Sequence, residues 1–141
     1  MSTEREKLII ELNKDLEWEY AAAIQYIQHA SVMEGAQYDG IQKELIIHSQ
    51  EEMQHAVMIS EQIDFLGGVP TWTVEEIEVS ANSLQMLQQD LKGEDNAIDR
   101  YKERIYQCEQ LREYGLRRVI EDILIQEEEH KRDLLTVIAE A

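Results

Sequence analysis

Two copies of a Glu-x-x-His motif, each preceded by another glutamate at the same distance, constrain this chain more than any other feature. The first set is Glu19, Glu52 and His55; the second is Glu94, Glu127 and His130. Glu19 to Glu52 and Glu94 to Glu127 both span 33 residues, and each member of the second set lies 75 residues after its counterpart. The repeat is wider than these six. Asp15-Leu16-x-x-Glu19-x-x-Ala22-x-x-x-Tyr26 matches Asp90-Leu91-x-x-Glu94-x-x-Ala97-x-x-x-Tyr101 at the same offset. Such a chain is expected to build two similar halves packed about a pseudo-two-fold axis.

Hydrophobic periodicity says what the halves are made of. Leu8, Ile9, Leu12, Leu16, Ala23, Ile27 and Ala30 fall at helical spacing, which predicts a helix over 3–34. Ile41, Leu45, Val57, Ile59 and Ile63 predict a second over 39–66, stopped by Gly67, Gly68 and Pro70. A third is expected over 82–111 and a fourth over 114–139. Residues 67–81 lack a helical pattern. Thr71 to Val79 alternates partly, but one strand has no partner here. Extended, these 15 residues span roughly 50 Å. A 28-residue helix is about 42 Å long, so the segment can run the length of a bundle. The other two connections are short and favour antiparallel neighbours. The expected fold is all-α: a four-helix bundle of two antiparallel hairpins joined by one long crossover, with residues 1–141 forming a single domain.

The hairpin turns set the heights of the motif residues. Glu19 and His55 are centred on position 37, between Gly35 and Gly40, and Glu94 and His130 on position 112, just before Gly115. Residues equidistant from an antiparallel turn lie side by side. Within each Glu-x-x-His the i,i+3 spacing puts both side chains on one helix face. All six groups are therefore expected to converge near mid-bundle.

Four bare carboxylates in an apolar interior would protonate or unfold the site. Two divalent cations supply +4 against −4 and resolve the conflict. Carboxylate oxygens with one imidazole per ion suit iron or manganese, and the absence of sulfur ligands argues against thiolate zinc. Glu51 is the nearest rival ligand, at i,i+4 from His55, but its repeat counterpart is Gln126, so Glu52 is preferred. His29 and His48 have no counterpart in the other half and read as satisfied or solvated histidines. Trp18 and Trp72 read as packing residues and Cys108 as a structural thiol.

Composition excludes several classes. The formal net charge of −17 argues against nucleic acid or an anionic membrane as partner. A single cysteine allows no intrachain disulfide and no CxxC metal centre. No signal-like segment follows Met1 and no apolar run reaches membrane-spanning length, so the cytoplasm is the expected address.

The residues resemble the ferritin-like superfamily, whose di-iron and di-manganese members share this ligand pattern. Within it the chain is most similar to the bacterioferritin branch. The resemblance covers nearly the whole chain: Glu19-x-x-Ala22-x-x-x-Tyr26, Glu52-Met53-Gln54-His55-Ala56, Phe65-Leu66-Gly67-Gly68-Val69-Pro70 and Glu127-Glu128-Glu129-His130. It implies a di-iron ferroxidase that oxidises Fe(II) with dioxygen or peroxide for iron handling or storage. Glu52 and Glu127 would bridge two Fe ions per chain, Mn being the alternative metal. Glu19 with His55, and Glu94 with His130, would be terminal ligands, with Tyr26 beside the centre. The alternative within the superfamily is a rubrerythrin-like di-metal peroxidase or oxidase that defends against oxidative stress without storing iron. Such proteins usually carry an extra carboxylate three residues after the third ligand, where this chain has Ala97. Met53 occupies the position of the axial methionine that holds haem b at a two-fold interface in haem-binding members; methionine is also an ordinary filler of helical cores. The expected assembly is a homo-oligomer, at least a dimer. Caged members carry a fifth helix, and only 11 residues follow His130, so a 24-subunit cage is not expected.

Overall fold

The computed structural model describes residues 2–140. Four long helices account for most of them: α1 (Glu4–Val32), α2 (Asp39–Phe65), α3 (Ser83–Gln110) and α4 (Tyr114–Glu140). Each boundary lies within two residues of its sequence-based expectation. Local chemistry explains the starts. The Thr3 hydroxyl accepts from the Glu6 backbone N–H at 3.1 Å, and the Asn82 side chain accepts from that of Gln85 at 2.8 Å. Each satisfies a donor that the first helical turn leaves unpaired, an effect of about 1 kcal/mol. The α1–α2 turn includes a short 3-10 segment (Ala36–Tyr38). It uses Gly35 at φ 113°, and α2 ends on Gly67 at φ 93°, backbone conformations that glycine adopts without a Cβ penalty.

Helices α1 and α2 pair along their lengths, as do α3 and α4, so the chain forms the expected two hairpins. Residues 66–82 form the crossover, and no strand occurs among the described residues. The crossover follows α1 from end to end. Arg5 donates to the Leu66 carbonyl, and Asn13 to that of Val69. Tyr20 donates to the Thr71 carbonyl and Glu78 N–H donates to Gln25. Polar side chains of α1 thus satisfy backbone groups that have no strand partner. One expectation fails on this segment. Trp72 is 83% exposed and packs nothing, because an irregular segment has no periodicity to direct its side chains inward. Trp18 is half-buried, with the Arg100 guanidinium 5.4 Å from its ring centre.

The apolar core is in two parts. One gathers Leu8, Leu12, Leu16, Ile59, Ile63, Ile120 and Ile123, with buried Cys108 as an inert member. The other gathers Ala30, Met33, Ile41, Leu45, Met86, Leu87 and Leu134. On every helix the motif residues lie between the two parts. The polar groups at mid-bundle are therefore sealed by apolar packing above and below.

Candidate metal centre

All six motif side chains are buried: Glu127 is 0%, Glu19, Glu52 and His130 1%, and His55 and Glu94 2% exposed. They fall into two overlapping sets, Glu19–Glu52–His55–Glu127 and Glu52–Glu94–Glu127–His130. His55 Nδ1 lies 3.5 Å from Glu19, 3.3 Å from Glu52 and 3.4 Å from Glu127. His130 Nδ1 lies 3.4 Å from Glu52, 3.5 Å from Glu94 and 3.3 Å from Glu127. Glu52 and Glu127 thus sit between the two histidines, while Glu19 and Glu94 each flank one. The donor atoms that converge are also those left without hydrogen bonds. Glu19 Oε2, Glu52 Oε1, Glu94 Oε2, both Glu127 carboxylate oxygens and Nδ1 of both histidines have no partner. Buried polar atoms are rarely unpaired, and seven converging acceptors fit bound cations.

The electrostatics carry the same signature. Burial, and then the Glu127 carboxylate, raise the pKa of Glu19 and push that of Glu94 up to about 8. Burial and the neighbouring Glu52 push Glu127 up to about 8. His55 is buried, which alone would lower its pKa, but the adjacent Glu19 and Glu52 carboxylates drive it up to about 12. His130 is raised in the same way by Glu127, Glu52 and Glu94. Without cations, protons hold the cluster together; cations would displace them.

Surrounding groups aim four of the six side chains. Tyr101 O–H donates to Glu19 and Tyr26 O–H donates to Glu94, the latter at 2.6 Å, so each hairpin's tyrosine holds the other hairpin's glutamate. Burial and the adjacent carboxylates raise both phenols well above their ordinary pKa, keeping them donors. Gln126 places its carbonyl oxygen against His55 Nε2 and donates its amide to Glu51, which in turn contacts His130 Nε2 at 3.0 Å. Both acceptors call for Nε2–H on the rings, which turns the Nδ1 lone pairs toward the cluster. Glu51 therefore lies outside the two convergent sets and faces the far side of the His130 ring. Gln126 is its counterpart at the 75-residue offset. That pairing was visible in the repeat, but its role depends on a contact between α2 and α4.

The repeat also organises a buried polar layer between α1 and α3. Asp15 accepts from Arg104 at 2.6 and 3.1 Å and from Arg100 at 3.2 Å. Its counterpart Asp90 accepts from His29 and from Gln25, each at 3.0 Å. His29 bonds the Glu78 carbonyl through its other nitrogen, so it is the satisfied histidine expected from the sequence. His48 departs from expectation. It is 1% exposed, hence not solvated, and it is only half satisfied: Nε2 faces Asp133 at 3.1 Å while Nδ1 has no partner. Met53 is 47% exposed on α2, which removes the core-filler reading.

A cavity of about 170 Å³ leads to the cluster between α1, α3 and the crossover. Its lining includes Glu19, Glu52, Glu94 and Glu127 at the inner end, with Glu76 and Glu78 from the crossover. Such an acidic path favours cations over anions.

Residues 9–141 match the family model for the ferritin-like domain. The chain belongs to the ferritin family. Among this ferritin's relatives is the bacterioferritin of Brucella melitensis, 33% identical over 95% of this chain and 88% of that protein. A nutrient stress-induced DNA-binding protein of Nostoc is 29% identical over 84% of this chain and 70% of its own. A crystal structure of ferritin-like, diiron-carboxylate proteins from Bacillus anthracis superposes with a TM-score of 0.93 at 29% identity, covering 98% of this ferritin and 99% of that chain. No helix among the described residues is long and apolar enough to cross a membrane.

Proposed function

We propose that this ferritin is a bacterioferritin-like ferroxidase that binds two Fe(II) ions at mid-bundle and oxidises them with dioxygen or peroxide. One observation carries the reading. The six residues form two ligand sets that share Glu52 and Glu127, and their converging atoms have no other partner. Glu19 and His55 would hold one ion, Glu94 and His130 the other, with Glu52 and Glu127 between them. The diiron-carboxylate relative and the oxygen-rich ligand set support iron. Each Fe(II) gives up one electron, and the oxidant takes both.

The protein's own part is geometric and protonic. Tyr26 and Tyr101 hold the terminal carboxylates, and Gln126 and Glu51 hold the imidazoles in one tautomer. Apolar packing on both sides keeps bulk water out, and the acidic cavity gives cations a path. The displaced protons are available to the reduced oxidant. The net charge of −17 argues against the DNA-binding role named for the Nostoc relative.

Exposed apolar side chains on α1 and α2 (Ile24, Ile27, Ile47 and Val57) support a homo-oligomer of at least two chains. Met53 lies among them and remains a proposed haem b axial ligand; a Soret band lost in Met53→Leu tests it. Buried Ala97 stands where a peroxidase-type site would place a further carboxylate, which favours the ferroxidase reading over a rubrerythrin-like one. The direct test is stopped-flow oxidation of Fe(II) by wild type and Glu52→Ala. Loss of the fast oxygen-dependent absorbance change in a folded variant is expected; an unaltered rate would refute the assignment.

A further inference from the structure

One departure from the repeat lies outside the central cluster. His48 is buried on α2, yet the residue 75 positions later is Ile123, a core residue of the other half. Two polar neighbours of His48 break the repeat in the same way. Glu44 corresponds to Val119, and Asp133 corresponds to Met58, both packed against the apolar core. At three positions the repeat thus pairs an apolar residue with a polar one: Glu44 and His48 in the first half, Asp133 in the second.

The three converge. One ligand atom from each of Glu44, His48 and Asp133 lies within 4.8 Å of the others. His48 Nε2 faces the Asp133 carboxylate at 3.1 Å, and its Nδ1 has no partner. Glu44 sits one turn before His48, at i,i+4, and so shares its helix face. Glu44 and Asp133 are exposed, so the site opens outward from a buried imidazole. The reverse side of that imidazole is fixed: the His48 ring stacks on His130 with centres 4.0 Å apart and planes 23° apart. A satisfied core would place an aliphatic side chain here, as the other half does.

We propose that Glu44, His48 and Asp133 form a third divalent-cation site on the α2/α4 side of the bundle, one stacked imidazole pair from the central cluster. Two carboxylates balance the charge of one dication, and one imidazole with two carboxylate oxygens suits Zn(II), Fe(II) or Mn(II) with solvent completing the shell. The site differs from the central one in having only exposed carboxylates and no shared ligand, so exchange with solvent should be faster.

The test uses Zn(II), which is redox-silent, on the full-length protein by calorimetry and by anomalous diffraction at the zinc edge. Wild type is expected to bind three ions per chain, with an anomalous peak between Glu44, His48 and Asp133. The Glu44→Gln, Asp133→Asn double variant changes only exposed side chains and should fall to two. His48→Ile, which copies the other half, should also fall to two and keep its fold. Glu52→Ala should lose central ions and retain the outer peak, separating this site from the central one. A wild type without the outer peak, or a third ion that persists in the double variant, overturns the proposal.

Discussion

Replacing Asp15 and Asp90 in turn by Asn sets the two halves of the repeat against each other. Both aspartates are buried, at 0% and 3% exposed, and each bridges α1 and α3. Asn keeps the volume, so cavity terms largely cancel. The partners differ in one respect. Arg104, 4% exposed, cannot shed its charge, whereas His29 can. Breaking a buried ion pair on one side costs ~3–5 kcal/mol because the other charge stays buried. Glu11 remains 3.9 Å from Arg104 and offsets part of this, so the lower end, ~3 kcal/mol, applies to Asp15→Asn. In Asp90→Asn the His29 ring becomes neutral, and the loss is that of imperfect hydrogen bonds, ~1–2 kcal/mol. At ~2.1 cal/mol/K per residue, the unfolding entropy of 141 residues is ~0.3 kcal/mol/K. The expected falls in Tm are therefore ~10 °C for Asp15→Asn and ~3–6 °C for Asp90→Asn at pH 7. Differential scanning calorimetry on metal-free protein measures both. The pKa of His29 is raised by its bond to Asp90, so its contribution is present below pH 6.5 and is lost as pH rises above it. The Asp90→Asn deficit should shrink accordingly on going to pH 9. Equal deficits for the two variants, or a larger one for Asp90→Asn, would mean that the fixed charge of Arg104 does not set the cost.

Other outcomes follow from the centre itself. Glu94 and Glu127 sit at about 8 in the folded chain, against 4.5 ordinarily, and His55 at about 12 against 6.5. All three shifts mean that the folded, metal-free protein binds more protons, so its Tm should fall as pH rises from 6 to 9. Calorimetry on chelator-treated protein checks this, and a Tm that rises over that range contradicts it. Metal loading at pH 7 should release protons, read as a dependence of binding enthalpy on buffer ionisation enthalpy. Gln126→Leu removes the acceptor on His55 Nε2 and should weaken metal binding ~10–100-fold without loss of fold, measured by competition with a chelator. Tyr101→Phe leaves Glu19 without its donor and should weaken binding at the Glu19–His55 side more than at the Glu94–His130 side.

The helices were legible because their ends carry strong punctuation: Gly35, Gly67, Gly68 and Pro70 stop periodic apolar runs. The six-residue cluster was legible because the 75-residue offset preserves residue identity at each position. The layer around Asp15 and Asp90 follows the same offset, which pairs His29 with Arg104 and Gln25 with Arg100. Those residue types differ, so matching identities passes over them. The orienting roles of Gln126 and Glu51 were hidden for another reason. They arise from contacts between helices, whereas sequence spacing reports neighbours on one helix. Trp72 defied expectation because an irregular segment has no facing rule, and the unpaired Nδ1 of His48 was hidden because a lone histidine carries no signal of its partners.

Anaerobic titration of the purified protein with Fe(II), followed by a pulse of oxygen, counts the ions that the mid-bundle centre oxidises. A fast absorbance change is expected in wild type, with an amplitude that corresponds to two Fe(II) oxidised per chain. One Fe(II) oxidised per chain in the fast phase, or slow oxidation matching free iron, would rule out a two-metal centre built on shared Glu52 and Glu127.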